Sequence, residues 1–257
     1  MRLSLFGLID RWLAPASDPA RLAWLGGVTY AHRGLHGPDR PENTPSAFAA
    51  AIAAGLGIEC DIQRTRDRRA MVFHDYALDR LTGAAGLVAD HTADQLQRIT
   101  LTGSDDTIPT LEQLLAQVAG TVPLLIELKA VHGASHHPVC RAVAAALAGY
   151  SGHHAVMSFD PRIVRWFARH SPMTVRGLVV TEEQDRGVIG NLRRHAALWL
   201  ARAEFLAYDI RDLPSRFAAA QRQRGVPVLT WTVRSPALRD RARHHADAPI
   251  AEGAGIP

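Results

Sequence analysis

Lysine is nearly absent from this chain. All but one of its 29 Lys and Arg residues are arginine, the exception being Lys129. The positive charge therefore sits on a side chain that stays protonated and favours planar, bidentate partners. The lone lysine is a candidate functional residue. Cysteine is as scarce, with only Cys60 and Cys140. Two cysteines so far apart make neither a zinc site nor a disulfide framework. They are expected to be buried thiols in a reducing compartment, which puts the protein in the cytoplasm. Long hydrophobic runs are missing too. The apolar stretch from Met1 to Leu13 is too short to span a bilayer. Asp10 breaks it, Arg2 alone precedes it, and no clean cleavage pattern follows, so no signal peptide is expected. Leu5, Phe6, Ile9, Trp12 and Leu13 can line one side of a helix. That helix either covers the bottom of the fold or makes weak peripheral contact with a membrane surface.

No internal repeat, linker or low-complexity segment interrupts the chain. Its 257 residues, 47% hydrophobic and 21% charged, suffice for one large α/β domain with a substantial core. A single domain over 1–257 is expected, with 1–27 an N-terminal extension and 76–108 a small insert. The net charge of +4 comes from scattered arginines. It is only weak evidence for nucleic acid, which is not expected as a partner, and it fits a phosphorylated or anionic-lipid substrate.

The stretch from Gly57 to Asp75 organises the rest. Ile58, Cys60 and Ile62 alternate with Glu59 and Asp61, a strand pattern that puts both acids on one face. Their Cβ atoms would lie about 6.6 Å apart, twice the strand rise. The second apolar run, Ala70 to Phe73, follows too closely for a parallel crossover. The two runs predict an antiparallel hairpin turning near Asp67-Arg68, with His74 about opposite Asp61.

Elsewhere strand and helix alternate. Strands are expected at Val28 to His32, Val122 to Leu128, Ala155 to Phe159, Val175 to Val180, Phe205 to Asp209, Val226 to Val233 and Pro249 to Glu252. Helix starts are marked at Thr44-Pro45, Thr110 with Gln113, Asp160-Pro161 and Ser235-Pro236. Tyr76 to Ile108 reads as a polar, Gly-rich excursion with one short helix around Thr92 to Arg98. With the 70–74 arm set aside, eight strands remain in parallel order, which predicts a (β/α)8 barrel. His32, Asp61, Glu127, Lys129, Ser158, Asp209 and Trp231 fall at or near C-terminal strand ends, where such barrels carry their sites.

Glu127 lies inside the apolar run Leu124 to Leu128, and a buried ionised carboxylate needs a partner. With Glu59 and Asp61 it offers three oxygen donors, which suit Mg²⁺ or Ca²⁺ better than zinc. Alternatively Glu127 only pairs with Arg33 or Lys129. His32 and His74 at one barrel mouth can give and take a proton in one cycle. Arg33 and Lys129 supply positive charge suited to an anionic phosphoryl centre. Trp231 is either a flat wall at a strand end or a core tryptophan. His36, His132, His136, His137, His153, His154, His244 and His245 fall in polar loops or helix ends, with no chemistry assigned.

In this order, His32-Arg33-Gly34, Pro41-Glu42-Asn43-Thr44, Glu59-Cys60-Asp61, His74-Asp75, Pro109-Thr110-Leu111-Glu112, Glu127-Leu128-Lys129, Ser158-Phe159 and Trp231-Thr232-Val233 resemble the glycerophosphodiester phosphodiesterase family of the short bacterial type. The resemblance spans roughly residues 29 to 252. It implies a distorted (β/α)8 TIM-type barrel with a small insert after the second-strand hairpin. It also implies one divalent cation, Mg²⁺ or Ca²⁺ with Mn²⁺ as an alternative, held by Glu59, Asp61 and Glu127. His32 and His74 would be the acid-base pair, with Arg33 and Lys129 on the phosphate and Trp231 on the substrate. The implied reaction splits a glycerophosphodiester into an alcohol and glycerol 3-phosphate, through a cyclic phosphate. Two rival readings are a phospholipase C-like or D-like lipid phosphodiesterase on the same barrel, and a non-catalytic barrel that binds a phosphorylated ligand.

Overall fold

The computed structural model describes residues 5–131, 133–183 and 185–257. Residues 1–4, Arg2 among them, the side chain of Leu5, and His132 lie outside the described residues. Among the described residues nine strands follow in chain order: β1 (Tyr30–Ala31), β2 (Gly57–Arg64), β3 (Ala70–Val72), β4 (Leu124–Leu128), β5 (His154–Ser158), β6 (Val175–Val180), β7 (Phe205–Asp209), β8 (Val228–Val233) and β9 (Ala248–Ala251). The α-helices are α1 (Leu5–Leu13), α2 (Pro19–Leu22), α3 (Pro45–Ala53), α4 (Ala93–Leu96), α5 (Leu111–Val118), α6 (His137–Ala146), α7 (Pro161–His170), α8 (Val188–Ala201), α9 (Arg216–Gln223) and α10 (Pro236–His245). The fold is a TIM-type barrel of eight parallel strands alternating with helices, and β3 is an antiparallel addition to β2. The chain divides into two compact units, residues 30–154, and residues 1–29 with 155–257.

In the unit of residues 30–154, local chemistry sets the helix starts. Thr44 Oγ1 accepts from Ala47 N at 3.2 Å, and Pro45 opens α3. Thr110 and Gln113 form a reciprocal capping box at the start of α5, satisfying two donors that a helix otherwise leaves bare. The expected start of β4 at Val122 moves to Leu124. Pro123 has no N–H to give a ladder, though its carbonyl accepts from Ile58 N at 2.9 Å. The hairpin forms with Arg68 at φ 65° in its turn. Its register is one residue from that expected: Ile62 pairs with Val72, and Phe73 N donates to Asp61 O at 2.9 Å. Phe73, not His74, therefore stands opposite Asp61. A hairpin's register is set by its turn, and composition alone left that turn open by one residue.

The segment after His74 is more than a polar excursion. Leu78, Val88, Ala93, Leu96, Leu101 and Ile108 are buried together with Met71 and Phe73. This satellite core also contains α4, whose N-cap is a second capping box of Thr92 and Gln95.

In the unit of residues 1–29 and 155–257, strands β5 to β9 pair in parallel in sequence order. The expected β8 start at Val226 moves to Val228. Pro227 again lacks the donor, and its carbonyl accepts from Leu206 N. α1 packs on α8, and one member of the expected stripe is turned outward. Phe6 stacks on His195 at 4.4 Å, whereas Trp12 is 82% exposed. The helix turns its Phe6 and Asp10 side inward because the buried Asp10 carboxylate finds donors there. Oδ1 accepts from Trp199 Nε1 at 2.7 Å and His195 Nδ1 at 2.8 Å, and Oδ2 from Gln221 Nε2 at 2.7 Å. Arg224 Nη2 donates to Asp10 O and Ala14 O at the helix end. Among the described residues no helix is long and apolar enough to cross a membrane.

Burial alone would lift the Asp10 carboxyl, but hydrogen bonds from His195, Gln221 and Trp199 hold it below its usual range. Asp10→Asn is expected to cost about 1–3 kcal/mol near neutral pH, because donors lose their acceptor. A depressed folded pKa gives stability that is full above the unfolded value, about 3.9, and lost as pH falls through the folded one. The stability gap between wild type and variant should therefore narrow below about pH 4. Urea unfolding midpoints across pH measure it, and a gap independent of pH would refute the assignment.

Candidate active site

Register brings the acids together. Asp61 on β2 pairs with Glu127 on β4, and Glu59 with Leu125. Side chains alternate across a strand, so Glu59, Asp61 and Glu127 emerge on one face. All three are buried, and each offers an oxygen within 4.8 Å of the others. Lys129, just past β4, bridges two of them: its Nζ lies 2.5 Å from Glu127 Oε1 and 2.7 Å from Asp61 Oδ1. The ion pair expected of Glu127 and the three-acid cluster thus coexist.

β1 ends at Ala31, so His32, expected as its last residue, sits with Arg33 on the turn that follows it. Gly34 N bonds back to Ala31 O, and Arg33 takes φ 56°. Gly34 follows at φ 79°, where a Cβ would come within 2.9 Å of the Ala47 Cβ, so only glycine fits. This turn aims Arg33 inward. Its backbone N–H donates to Glu59 Oε2 at 3.1 Å, and its Nε lies 3.2 Å from Asp61 Oδ2. His32 is buried beside it, with Nε2 4.0 Å from Glu59 Oε2.

Asn43, at φ 58°, donates from Nδ2 to Asp61 Oδ2 at 3.0 Å and accepts from Asp61 N at 3.3 Å. Asp61 thus faces Lys129, Arg33 and Asn43. Burial would raise its pKa, yet Lys129 and Arg33 pull it below the usual carboxylate range. Glu59 behaves oppositely. Burial, then the charges of Asp61 and Glu127, push it well up against the weaker pull of Arg33 and Lys129. Glu127 is raised by burial, with Asp61 adding and Lys129 opposing. Three carboxylates against two cations leave 2 − 3 = −1 when all are ionised. A hard divalent cation fits this oxygen set and would return Glu59 to its ionised form.

His74 lies beyond β3. Its Nδ1 is 2.6 Å from Asp75 Oδ1, and its carbonyl accepts from Gln63 Nε2 at 2.9 Å. A carboxylate accepts, so Nδ1 carries the hydrogen and the ring's other chemistry falls to Nε2. Burial holds His74 below its ordinary pKa, helped by Lys129 and Arg33 and opposed by Asp61 and Asp75. Around it run further charges. Arg80 Nε lies 2.5 Å from Asp75 Oδ2, Arg80 Nη2 2.7 Å from Glu42 Oε1, and Arg33 Nη1 2.8 Å from Glu42 Oε1.

Trp231 belongs to the other unit. There its Nε1 donates to Ala207 O at 2.9 Å, and its ring meets Phe159 edge-on at 5.5 Å. It is half-buried on β8. Sequence reasoning gave no role to Glu42, Asn43, Asp75 or Arg80. The first three lie inside the conspicuous motifs, and an Asn just before a Thr-Pro helix start is a turn signal. Arg80 carries no local signal.

A profile described as the Glycerophosphoryl diester phosphodiesterase family matches residues 32–250. The chain is 38% identical over 116 residues to a glycerophosphodiester phosphodiesterase of Bacillus altitudinis, covering 42% of this chain and 47% of that protein. The chain thus spans about half the length of the curated relatives it matches. Solved structures share its fold. An Oleispira antarctica phosphodiesterase in complex with the product sn-glycerol-3-phosphate superposes with a TM-score of 0.78 at 22% identity, over 88% of this chain and 93% of that one. A glycerophosphodiester phosphodiesterase of Thermotoga maritima gives 0.71 at 24% identity, over 87% and 93%.

Asn43 offers a test of how the cluster is held. Asn43→Ala loses the bonds to Asp61 and puts alanine in the left-handed region, an expected cost of about 2–4 kcal/mol in all. Asn43→Gly should recover the backbone part and not the rest. Thermal melts of both variants measure this, and equal losses would refute the backbone contribution.

Proposed function

This chain belongs to the glycerophosphoryl diester phosphodiesterase family, and from that premise we propose that it hydrolyses glycerophosphodiesters to an alcohol and sn-glycerol 3-phosphate. The family is one of phosphoric diester hydrolases. The observation that carries the reading is the buried cluster of Glu59, Asp61 and Glu127 with Arg33 and Lys129, flanked by His32 and His74. The product complex of the Oleispira antarctica protein supports the same substrate class here.

Glu59, Asp61 and Glu127 would hold one divalent cation, Mg²⁺ or Ca²⁺ with Mn²⁺ as an alternative. When bound, such an ion polarises phosphoryl oxygens and offsets their charge. With it the cluster's charge becomes −1 + 2 = +1, matched to a phosphodiester monoanion. Arg33 and Lys129 then contact the non-bridging oxygens, where charge builds in the transition state. His32 takes the proton from the substrate's own glycerol hydroxyl, whose oxygen attacks phosphorus. The bond to the alcohol oxygen breaks, and His74 delivers a proton to that oxygen. The product is a cyclic phosphate, favoured by the nearness of an intramolecular nucleophile. In the second half the roles reverse: His74 deprotonates water, the ring opens, and His32 returns the proton to the glycerol oxygen. Asp75 fixes the His74 ring and favours its imidazolium form. The arriving phosphate anion acts the same way.

The chain is read as one domain, with 1–27 an extension and 76–108 an insert. Trp231 with Phe159 is read as an aromatic wall for the alcohol group. The buried Cys60 and Cys140 support a reducing compartment and so the cytoplasm. One observation favours a lipid phosphodiesterase instead, the exposure of Leu8 and Trp12 on α1. Turnover of lysophospholipid against glycerophosphocholine separates the two.

Chelation is expected to abolish glycerol 3-phosphate release while leaving helix content by circular dichroism intact, since the barrel core does not depend on the cluster. Glu59→Gln and Glu127→Gln should each weaken cation binding, read by titration calorimetry, about 10-fold or more. Unfolding on chelation, or unchanged cation affinity in both variants, would sink the metal reading.

The histidines give the sharper test. Each alanine variant should lose about 10² to 10⁴ in rate, and the double variant should be little worse than the worse single one. His74→Ala should recover much of its loss on a nitrophenyl ester, whose alcohol leaves without a proton, and His32→Ala should not. Near wild-type rates for both alanine variants on glycerophosphodiesters would overturn the acid-base reading.

A further inference from the structure

Arg80 is the side chain that joins the two arms of the site. It lies five residues beyond Asp75, in the segment with its own small core. Its backbone is fixed on both sides. Leu78, two residues before it, is fully buried in that core and donates from its N–H to Gly86 O at 2.9 Å. Thr82, two residues after it, donates from its N–H to Leu78 O at 3.1 Å. The guanidinium then spends three nitrogens on two carboxylates. Nε and Nη2 reach Asp75 Oδ2 and Oδ1 at 2.5 and 3.1 Å. Nη2 and Nη1 reach Glu42 Oε1 and Oε2 at 2.7 and 3.3 Å.

Each carboxylate leads onward. Asp75 Oδ1 accepts from His74 Nδ1 at 2.6 Å, and Glu42 Oε1 accepts from Arg33 Nη1 at 2.8 Å. Arg33 in turn lies against Asp61. The line His74, Asp75, Arg80, Glu42, Arg33, Asp61 is unbroken. A planar fork is the one side chain that can hold both carboxylates in fixed orientation. The geometry also argues against a purely structural role. Arg80 is 48% exposed, and ion pairs of half-exposed arginine contribute little to stability. What they do fix is the direction of Asp75, and through it the tautomer and aim of the His74 ring.

We infer that Arg80 is a positioning residue for His74: it locks Asp75 against the histidine's Nδ1 and, through Glu42, ties that histidine to the phosphate-facing Arg33. The inference rests on the reading of His74 as the acid that protonates the departing alcohol. It makes the segment 76–108 part of the reaction's machinery, because that segment supplies the clamp on the His74 arm.

The test compares wild type, Arg80→Ala, Arg80→Lys and His74→Ala on two substrates, glycerophosphoethanolamine and the nitrophenyl ester of glycerol phosphate. On the first, Arg80→Ala should lower kcat roughly 10–100-fold, the usual loss when an outer partner of a site histidine is removed, with little change in KM. On the nitrophenyl ester the loss should shrink to a few-fold, because that leaving group needs no proton. Arg80→Lys keeps the charge but not the fork, so it should fall between. Added guanidinium should restore part of the Arg80→Ala rate. Circular dichroism and the thermal midpoint of both Arg80 variants should stay near wild type. An Arg80→Ala loss that is equal on both substrates while His74→Ala discriminates between them would overturn the inference and leave the acid role standing. A His74→Ala that fails to discriminate would overturn the acid role itself, whatever Arg80→Ala does. Should Arg80→Ala not fold, Arg80→Lys decides by the same comparison: an Arg80→Lys indistinguishable from wild type on glycerophosphoethanolamine removes the need for the fork and with it the inference.

Discussion

Three carboxylates on two adjacent strands cannot share a low-dielectric pocket unless cations come with them. Burial and mutual repulsion each favour the neutral acid, and Glu59, with the least help, is pushed furthest toward it. The rest of this site follows from that constraint. Lys129 must arrive two residues after Glu127 on the same edge, close enough to reach both Glu127 and Asp61. Arg33 must turn inward, which the chain achieves through two successive left-handed residues, Arg33 and Gly34. The alignment of β2 with β4 is equally constrained. A slip of one residue would send Glu127 to the face opposite Asp61 and strand a charge among aliphatic side chains. The acids at the centre thus specify the strand pairing as much as the strand pairing positions the acids.

Much of the framework was legible because its signals are local. Thr44-Pro45, Thr110 with Gln113, Asp160-Pro161 and Ser235-Pro236 each declare a helix start within a few residues, and each starts a helix. The alternation around Glu59 and Asp61 declared a shared face. What stayed hidden depends on partners distant in sequence or on turn geometry. The β2–β3 register turned on Arg68 adopting a positive φ. Asp10 looked like an interruption of an apolar helix, yet it faces inward, because its donors come from His195, Trp199 and Gln221, 185, 189 and 211 residues on. Trp12, which resembled part of the packing stripe, was left outside by the same rotation. Asn43 carried only a turn signal, not its bond to Asp61, and Arg80 carried none. One acts through a left-handed turn residue, the other across a segment whose apolar core is diluted by polar residues.

The site is built in layers of different rigidity. The acids stand on β2 and β4, where ladder hydrogen bonds fix them. His32, Arg33 and Asn43 stand on turns held by the backbone bonds of Gly34 and by the Asn43 N–H donating to Arg33 O. His74 stands on an arm paired to β2 and bridged at Met71 to Thr110, with a small core of its own behind it. Precision declines outward along that series unless something returns it, and the charged line through Glu42 and Asp75 is the connection from the arm back to the turn.

The scarcity of lysine has a practical side. A chain whose only lysine is held, half-buried, between two carboxylates carries a single intrinsic reporter of its own centre. Acylating reagents attack the unprotonated amine, and the contacts with Glu127 and Asp61 hold this amine in its protonated form by raising its pKa, against the opposing effect of burial. Whatever draws those carboxylates away from the ammonium must also change how fast it is acylated. The molecule therefore offers side-chain amine chemistry at one address, a footprint of the cluster's state that needs neither engineered label nor turnover.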